Sequence, residues 1–316
     1  MSKLNEAEII RIFQQRFGRK SKFVPEDVEI IRLDKTIFVT KSDMLVESTD
    51  VPQGMKTNQI ARKSMVACVS DFASKGVKPT YATISLAIPR SFSRSKISDL
   101  ANGFMKASKE FGVKIIGGDV NEGKEIVIEV SMFGVTKKIV NRKGARLKDI
   151  IITSGPFGYA SSGLKIILEH IKADYKFSKK CKNLVFVPKP RLGFGLSIAK
   201  YISSSMDSSD GLSTTLNEMS KQSKKKFVIT KLPSNPEVKK FADANRIRFT
   251  DLVFHGGEEY EIVATVSKNN LSKIKRIAKI QKIPLFEIGY VTSGKNVIYQ
   301  QKNKIIKDAG WLHFKS

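Results

Sequence analysis

The stretch MDSSDGL, Met206 to Leu212, carries two carboxylates three residues apart, divided by serines and followed by a glycine. Carboxylates are the scarce charge in this chain, 30 Asp and Glu against 56 Lys and Arg. They nonetheless recur in similar small-residue settings: KSDML holds Asp43, VSDFASKG holds Asp71 and IIGGDV holds Asp119. Hard oxygen donors without a Cys/His cluster select Mg2+ or Ca2+ over zinc. Mg2+ on scattered carboxylates is how phosphoryl-transfer enzymes hold ATP. Metal-assisted chemistry on phosphates follows, with Asp43, Asp71 and Asp210 in the leading roles and no basic neighbours expected among them.

Each position has a plainer reading beside this one. Ile60, Ser64, Ala67, Cys68 and Asp71 fall at helical spacing, which puts the Asp71 carboxylate in line with a small, apolar face. An unpaired charge there is costly; a helix-end hydrogen bond to backbone amides is the alternative. Asp119 follows Gly117 and Gly118 at the end of an apolar strand, where α/β enzymes place ligands. Glycine there lets a ligand or another backbone come close, and a tight turn capped by the Asp competes. Asp43 ends a strand too, with the Ser42 hydroxyl beside it. Asp210 precedes Leu212, Leu216 and Met219, so it starts a helix, as a cap or as part of a phosphate or metal site. Asp207, one turn earlier, has no capping duty.

The elements that must position these groups read as alternating helices and strands in both halves, a mixed α/β chain. Ile9, Ile10, Phe13 and Phe17 mark a first helix, expected to pack and to end at Gly18. TIFVT runs as a strand into KSDML, and MKTNQIARKSMVACVSDFASKG is a helix closed by Gly76. YATISLAIP, VKIIGGD and EIVIEVSMFGVT are strands, with the helix SKISDLANGFMKASKEFG after the first of them. The basic link NRKGARLKD, 141–149, divides the chain, giving domains at 1–140 and 141–316. Beyond it, IIITSGP, KKFVITKLP, YEIVATV and IPLFEIGYV are strands. Helices are expected around Leu164–His170 and over LGFGLSIAKYI, NPEVKKFADAN and LSKIKRIAKIQ.

A chain of 316 residues is long enough for two cores. Its apolar runs fall far short of a membrane span, and the N-terminus lacks a signal-peptide core. Cys68 and Cys181 form neither a disulfide framework nor a metal spacing, so Cys68 is expected as a small buried hydrophobe and the cytoplasm as the location. The net charge of +26 invites a nucleic-acid partner. The lysines are spread, however, and no recognition motif accompanies them, so an anionic small substrate fits at least as well. GYASSGLK lacks the Gly-Lys-Ser/Thr end of a P-loop, and neither a protein-kinase set nor a nucleophile elbow is present.

KSDMLVESTDVP, VSDFASKGVKP, IIGGDV, NRKGARLKD, MDSSDGL, GGEEYEI and GWLHF stand in the order seen in the thiamine-monophosphate kinase family, which the chain resembles from about Asp27 to Phe314. The archaeal branch is the nearest in pattern, within a superfamily that includes aminoimidazole ribonucleotide synthetase. The resemblance implies an N-terminal sheet-with-helices domain that forms a barrel with a second subunit, and a C-terminal α/β domain completing the site. It implies ATP-dependent phosphorylation of thiamine monophosphate to thiamine diphosphate with Mg2+. Metal ligation would fall on Asp27, Ser42, Asp43, Asp71, Asp119, Asp207 and Asp210, and ATP contacts on Gly118, Asp119, Arg142 and Ser209. Thiamine-phosphate contacts would fall on Asp50, Glu258 and Trp311, the last through cation–π attraction to the thiazolium. A core plug at Trp311, a linker surface charge at Arg142 and a hydrogen-bonded turn at His255 are the plainer readings. The chain departs from the family pattern at Pro25-Glu26-Asp27, where Gly-Asp-Asp is usual, and at Lys41, where a hydroxyl residue is usual. It departs again at Asp50, a histidine in bacterial members, and at Glu259, usually Asp. An aminoimidazole ribonucleotide synthetase-like reaction is the alternative, and a nucleic-acid-binding protein a weaker one.

Overall fold

Two sheets organise the chain in the computed structural model, which describes residues 6–16 and 25–311. The first contains β1 (Glu29–Leu33), β2 (Thr36–Val46), β3 (Pro79–Ile88), β4 (Lys114–Glu122) and β5 (Val127–Thr136), ordered β1-β2-β5-β3-β4. The helices of this half of the chain are α1 (Glu6–Arg16), α2 (Glu47–Asp50), α3 (Thr57–Lys75) and α4 (Arg94–Phe111). β3 and β4 run parallel, and α4 supplies the crossover that a parallel pair requires. The other pairs are antiparallel.

The second sheet contains β6 (Ile150–Thr153), β7 (Ile202–Ser208), β8 (Lys226–Ile229), β9 (Glu261–Val266), β10 (Phe286–Thr292), β11 (Val297–Tyr299) and β12 (Lys304–Ile305). Its order is β12-β11-β8-β10-β6-β9-β7. Around it lie α5 (Tyr159–Leu168), α6 (Tyr175–Phe186), α7 (Leu192–Ile198), α8 (Leu212–Ser223), α9 (Pro236–Ala244), α10 (Phe249–Phe254) and α11 (Lys268–Ile280). The NRKGARLKD link is irregular between β5 and β6, as expected from its composition.

α3 is the shared element. Its N-terminal half packs on β2 and β5 with α4 alongside, and its C-terminal half meets α7, β7 and β9 of the second sheet. A Cβ on Gly195 of α7 would lie 2.0 Å from the Ala73 carbonyl oxygen, so the two helices touch through bare backbone. Gly76, at φ +66, closes α3 in the left-handed cap that glycine adopts without penalty. Wrapped on all sides, α3 buries Lys63, Ser64, Ser70, Asp71, Ser74 and Lys75 along with its apolar residues.

The first sheet has one covered and one open face. Ile37, Val39, Leu45, Ile128, Val130 and Met132 point into the core under α3. On the opposite face Met44, Tyr81 and Val135 are exposed, and Phe38 stacks on Phe133 at 5.9 Å.

The structure departs from the sequence reading at several elements. In α1, Ile9 is partly buried while Ile10 and Phe13 are largely exposed; Phe17 and Gly18 lie outside the described residues. α6, with its KFSKKCKN segment, was hidden by its lysines, and β7 by three consecutive serines in SSSMDS. The second of these is the strand that carries Asp207.

Candidate active site

The carboxylates converge where β2, α3 and the β7–α8 turn meet. Ligand oxygens of Asp27, Asp71 and Asp207 lie within 4.8 Å of one another, and all three residues are buried. Asp71 comes from the site-facing side of α3 well before the helix end, so it is not a terminal cap. Asp207 comes from β7, where Ser70 donates to it at 3.0 Å. Asp210 follows in the turn, but Gly211, at φ +116, takes the N-cap position of α8. The capping role considered for Asp210 is therefore absent, which leaves its carboxylate free for the cleft.

Asp27 differs from the other two. Lys75 Nζ reaches it at 2.7 Å, Ser74 donates at 2.9 Å, and Arg142 donates through Nε at 2.7 Å and also through Nη2. Burial favours its neutral form, yet Lys75 and Arg142 outweigh that and hold its pKa below the usual carboxylate range. Asp27 thus stands in the trio but is already neutralised by protein cations. Arg142 is no surface charge; its fork is committed to Asp27, while its backbone N–H donates to Glu26 at 3.0 Å. Lys75, fully buried, also bonds Glu26 at 2.8 Å and the Ser205 carbonyl at 3.0 Å.

Asp71 and Asp207 are compensated less fully. Burial raises the pKa of Asp71 well above the ordinary value; Lys41 opposes this, and Asp207, Asp27 and Asp43 add to it. Asp207 is pushed up to about 6 by burial and then by Asp27. Asp210, open to solvent on one side yet ringed by protein, is also raised to about 6, by desolvation and then by Glu6, Asp43 and Asp71. Crowded carboxylates of this kind ask for a cation.

One cation is built in, contrary to the expectation of a site without basic neighbours. Lys41 Nζ lies 2.9 Å from Asp71 Oδ2 and 3.6 Å from Asp43 Oδ2. Lys41 and Asp43 are two residues apart on β2 and so share its covered face.

The register separates the remaining expected residues. Asp43, Val130, Ile84 and Gly118 form one cross-strand row. A Cβ at Gly118 would sit 1.7 Å from the Ile84 carbonyl oxygen, so this glycine serves a close backbone approach between β4 and β3. Asp119 falls in the next row with Ser85, Glu129 and Met44, on the open face, in mid-strand rather than a turn. Ser42 shares that face and donates to Glu129, which also accepts from Ser131 at 2.6 Å. Within one chain, neither the Ser42 hydroxyl nor Asp119 joins the carboxylate group.

The second corner of the cleft is built on GGEEY. Glu258 and Tyr260 hold φ of +70 and +52, a strained backbone for residues with side chains. Hydrogen bonds from Glu258 N–H to the Ser209 carbonyl at 2.6 Å and from Tyr260 N–H to the Ser208 carbonyl at 2.9 Å fix it. Ser209 is thereby a backbone anchor for Glu258. Lys63, buried on α3, pairs with Glu258 at 2.9 Å and with the Asp50 carbonyl at 2.7 Å. The Asp50 carboxylate itself accepts from Val46 N–H at 2.8 Å, tying down its own turn. Glu259 accepts from Gly158 N–H at 2.7 Å and Ala160 N–H at 3.1 Å, so it holds the start of α5. Trp311 is 56% exposed, not a core plug, and its N–H donates to the Asp210 carbonyl at 2.9 Å. His255 meets the Ser213 hydroxyl at 3.0 Å at the end of α10, as expected of a turn residue.

The buried cations Lys63 and Lys75 were missed from sequence. A signal existed: α3 carries polar residues on every side of an otherwise apolar pattern, and a helix without a wet face must pair them internally.

Comparison with known proteins places this arrangement. Residues 25–136 match the family model of AIR synthase related protein, N-terminal domain. The chain is 53% identical to thiamine-monophosphate kinase of Nitrosopumilus maritimus, with all of both chains covered. It is 32% identical to thiamine-monophosphate kinase of Pyrococcus horikoshii, covering all of this chain and 98% of the relative. Among solved structures, AaThiL complexed with AMPPCP and TMP superposes with a TM-score of 0.87 at 26% identity, covering 99% of this chain and 98% of the other.

Proposed function

Because the chain belongs to the thiamine-monophosphate kinase family and is a phosphotransferase, we propose that it transfers the terminal phosphoryl group of ATP to thiamine monophosphate, forming thiamine diphosphate. The observation that carries this reading is the cleft in which Asp43, Asp71, Asp207 and Asp210 meet opposite Glu258 and Trp311. The donors are hard oxygens, and the burial and mutual repulsion that push Asp207 and Asp210 up to about 6 are what a bound divalent ion would relieve, which suits Mg2+. Asp43, Asp71, Asp207 and Asp210 would hold the ion; it would neutralise charge on the phosphates. Asp27, saturated by Lys75 and Arg142, orders the floor of the site.

The acceptor needs no strong base. A phosphate monoester is largely ionised at neutral pH because its second pKa is about 6. The protein's task is to bring two polyanions into line, which positioning and fixed charge accomplish. Glu258, strained and clamped by Lys63, and Trp311, open to solvent beside Asp210, would hold the ring end of the acceptor. Gly118 and Asp119 would serve the nucleotide, while Arg142, its fork committed to Asp27, would act there through that carboxylate. Residues 1–140 and 141–316 would act as two domains, and the open face of the first sheet would pair with a second copy. Among the described residues no helix is long and apolar enough to cross a membrane, which suits a cytoplasmic enzyme.

The test is ADP release with ATP and Mg2+ in the presence of thiamine monophosphate, of thiamine, or of no acceptor. Release with the monophosphate at a kcat/KM far above that for thiamine is expected. Comparable values would refute the reading and indicate a base that activates a hydroxyl. Aminoimidazole ribonucleotide precursor as the sole productive acceptor would move the chain to the alternative reaction.

A further inference from the structure

Among the described residues, Lys41 is the one cation within ion-pair distance of Asp43, Asp71, Asp207 or Asp210. Lys75 and Arg142 are spent on Asp27 and Glu26, and Lys63 on Glu258. Lys41 instead bridges Asp71 at 2.9 Å and Asp43 at 3.6 Å. It arrives from β2, two residues from Asp43, so the strand holds the ammonium between a carboxylate of its own and one from α3. Its side chain is only partly exposed, and the partners leave it little freedom to swing out.

We propose that Lys41 is an internal counter-ion that occupies the Asp43–Asp71 side of the cleft, holding the site together without metal and competing with divalent ions for those two carboxylates. The geometry gives the reason. A divalent ion and an ammonium cannot both sit against Asp71 Oδ2, because like charges a few ångströms apart repel in a half-buried site. The ion therefore gains the full set of Asp43, Asp71, Asp207 and Asp210 only when the ammonium moves aside. This rests on the reading above that the carboxylates take a divalent ion, and concerns how this chain limits that binding.

The experiment measures Mn2+ binding to the full-length protein without nucleotide, by the free-ion electron paramagnetic resonance signal, together with thermal melting in EDTA. Lys41→Gln is expected to bind Mn2+ at least tenfold more tightly than wild type. It should also melt at a lower temperature in EDTA and recover that loss when Mn2+ is added. Lys41→Arg, which keeps the charge, should stay within threefold of wild type in Mn2+ affinity. If Lys41→Gln binds Mn2+ no more tightly than wild type, the counter-ion role is refuted. If Lys41→Gln yields no folded protein even with Mn2+, the charge-balanced pair Lys41→Gln with Asp43→Asn decides. Its folding with wild-type Mn2+ affinity supports the proposal, and its failure shows that Lys41 is a packing residue and overturns it. A wild-type protein that takes up no Mn2+, with or without ATP, removes the metal reading itself and this inference with it.

Discussion

Replacing Asp207 with Asn should stabilise the metal-free protein. Asp207 is buried on β7 beside Asp71 and Asp27, and its pKa rises from 3.8 to about 6. The raised value means that the folded chain holds this proton more tightly than the unfolded chain does. The stability contributed by the proton is therefore complete below about pH 4 and lost as pH climbs to about 6. A shift of about two units corresponds to roughly 3 kcal/mol at neutral pH. For a chain of this size each kcal/mol moves the midpoint by about 2 °C, so Asp207→Asn should raise the melting temperature in EDTA by roughly 6 °C at pH 7.5. The gain should shrink by about half at pH 5 and vanish near pH 4, because the wild-type carboxyl is then protonated too. The Ser70 hydroxyl can still donate to the amide oxygen, so no orphan is created. Added Mg2+ should reverse the order, stabilising the wild type more than the variant. Thermal melts monitored by circular dichroism at three pH values decide it. A variant that melts at or below wild type in EDTA at pH 7.5 would refute the claim that like charge and burial dominate this corner.

The opposite sign is expected at Lys75. Lys75→Met strips a cation from a fully buried pair and leaves Asp27 leaning on Arg142 alone, costing about 3 kcal/mol in urea denaturation; a loss below 1 kcal/mol would show that Arg142 suffices. Asp71→Asn should abolish turnover while leaving the circular dichroism spectrum unchanged, and retained turnover at saturating Mg2+ would remove Asp71 from the site. Trp311→Ala should mainly raise KM for thiamine monophosphate, with kcat little changed; an unaltered KM would exclude the ring from acceptor binding. Met44→Glu combined with Val135→Glu, both on the open sheet face, should convert a dimer to a monomer in sedimentation velocity; a wild type that is monomeric at micromolar concentration would count against the pairing.

What the sequence made legible was whatever depends on period and punctuation. α3 and α4 were readable because an apolar helical pattern ends in Gly76 and Gly112, both in the left-handed cap. β2, β3 and β5 were readable as runs of β-branched residues. β7 was not, since Ile202–Ser208 buries serines that a surface turn would also carry. Its burial comes from pairing with β9 and packing on α3, which are long-range facts.

The acids of the site were legible for the same reason that its cations were not. Asp and Glu are scarce in a chain of formal charge +26, so a carboxylate amid small residues stands out. A lysine does not: nothing beside it marks Lys41, and Lys63 and Lys75 are marked only by belonging to a helix that has no wet face. Yet these three, with Arg142, set the character of each carboxylate. Asp27 is fixed as an anion by two cations, Glu258 is clamped by one, and Asp71 shares Lys41 with Asp43. Asp207 and Asp210, which belong to none of these pairs, are where a divalent ion would gain most. The division of labour among the carboxylates is therefore written in which lysines are buried, and burial is decided by the packing of α3 between two sheets.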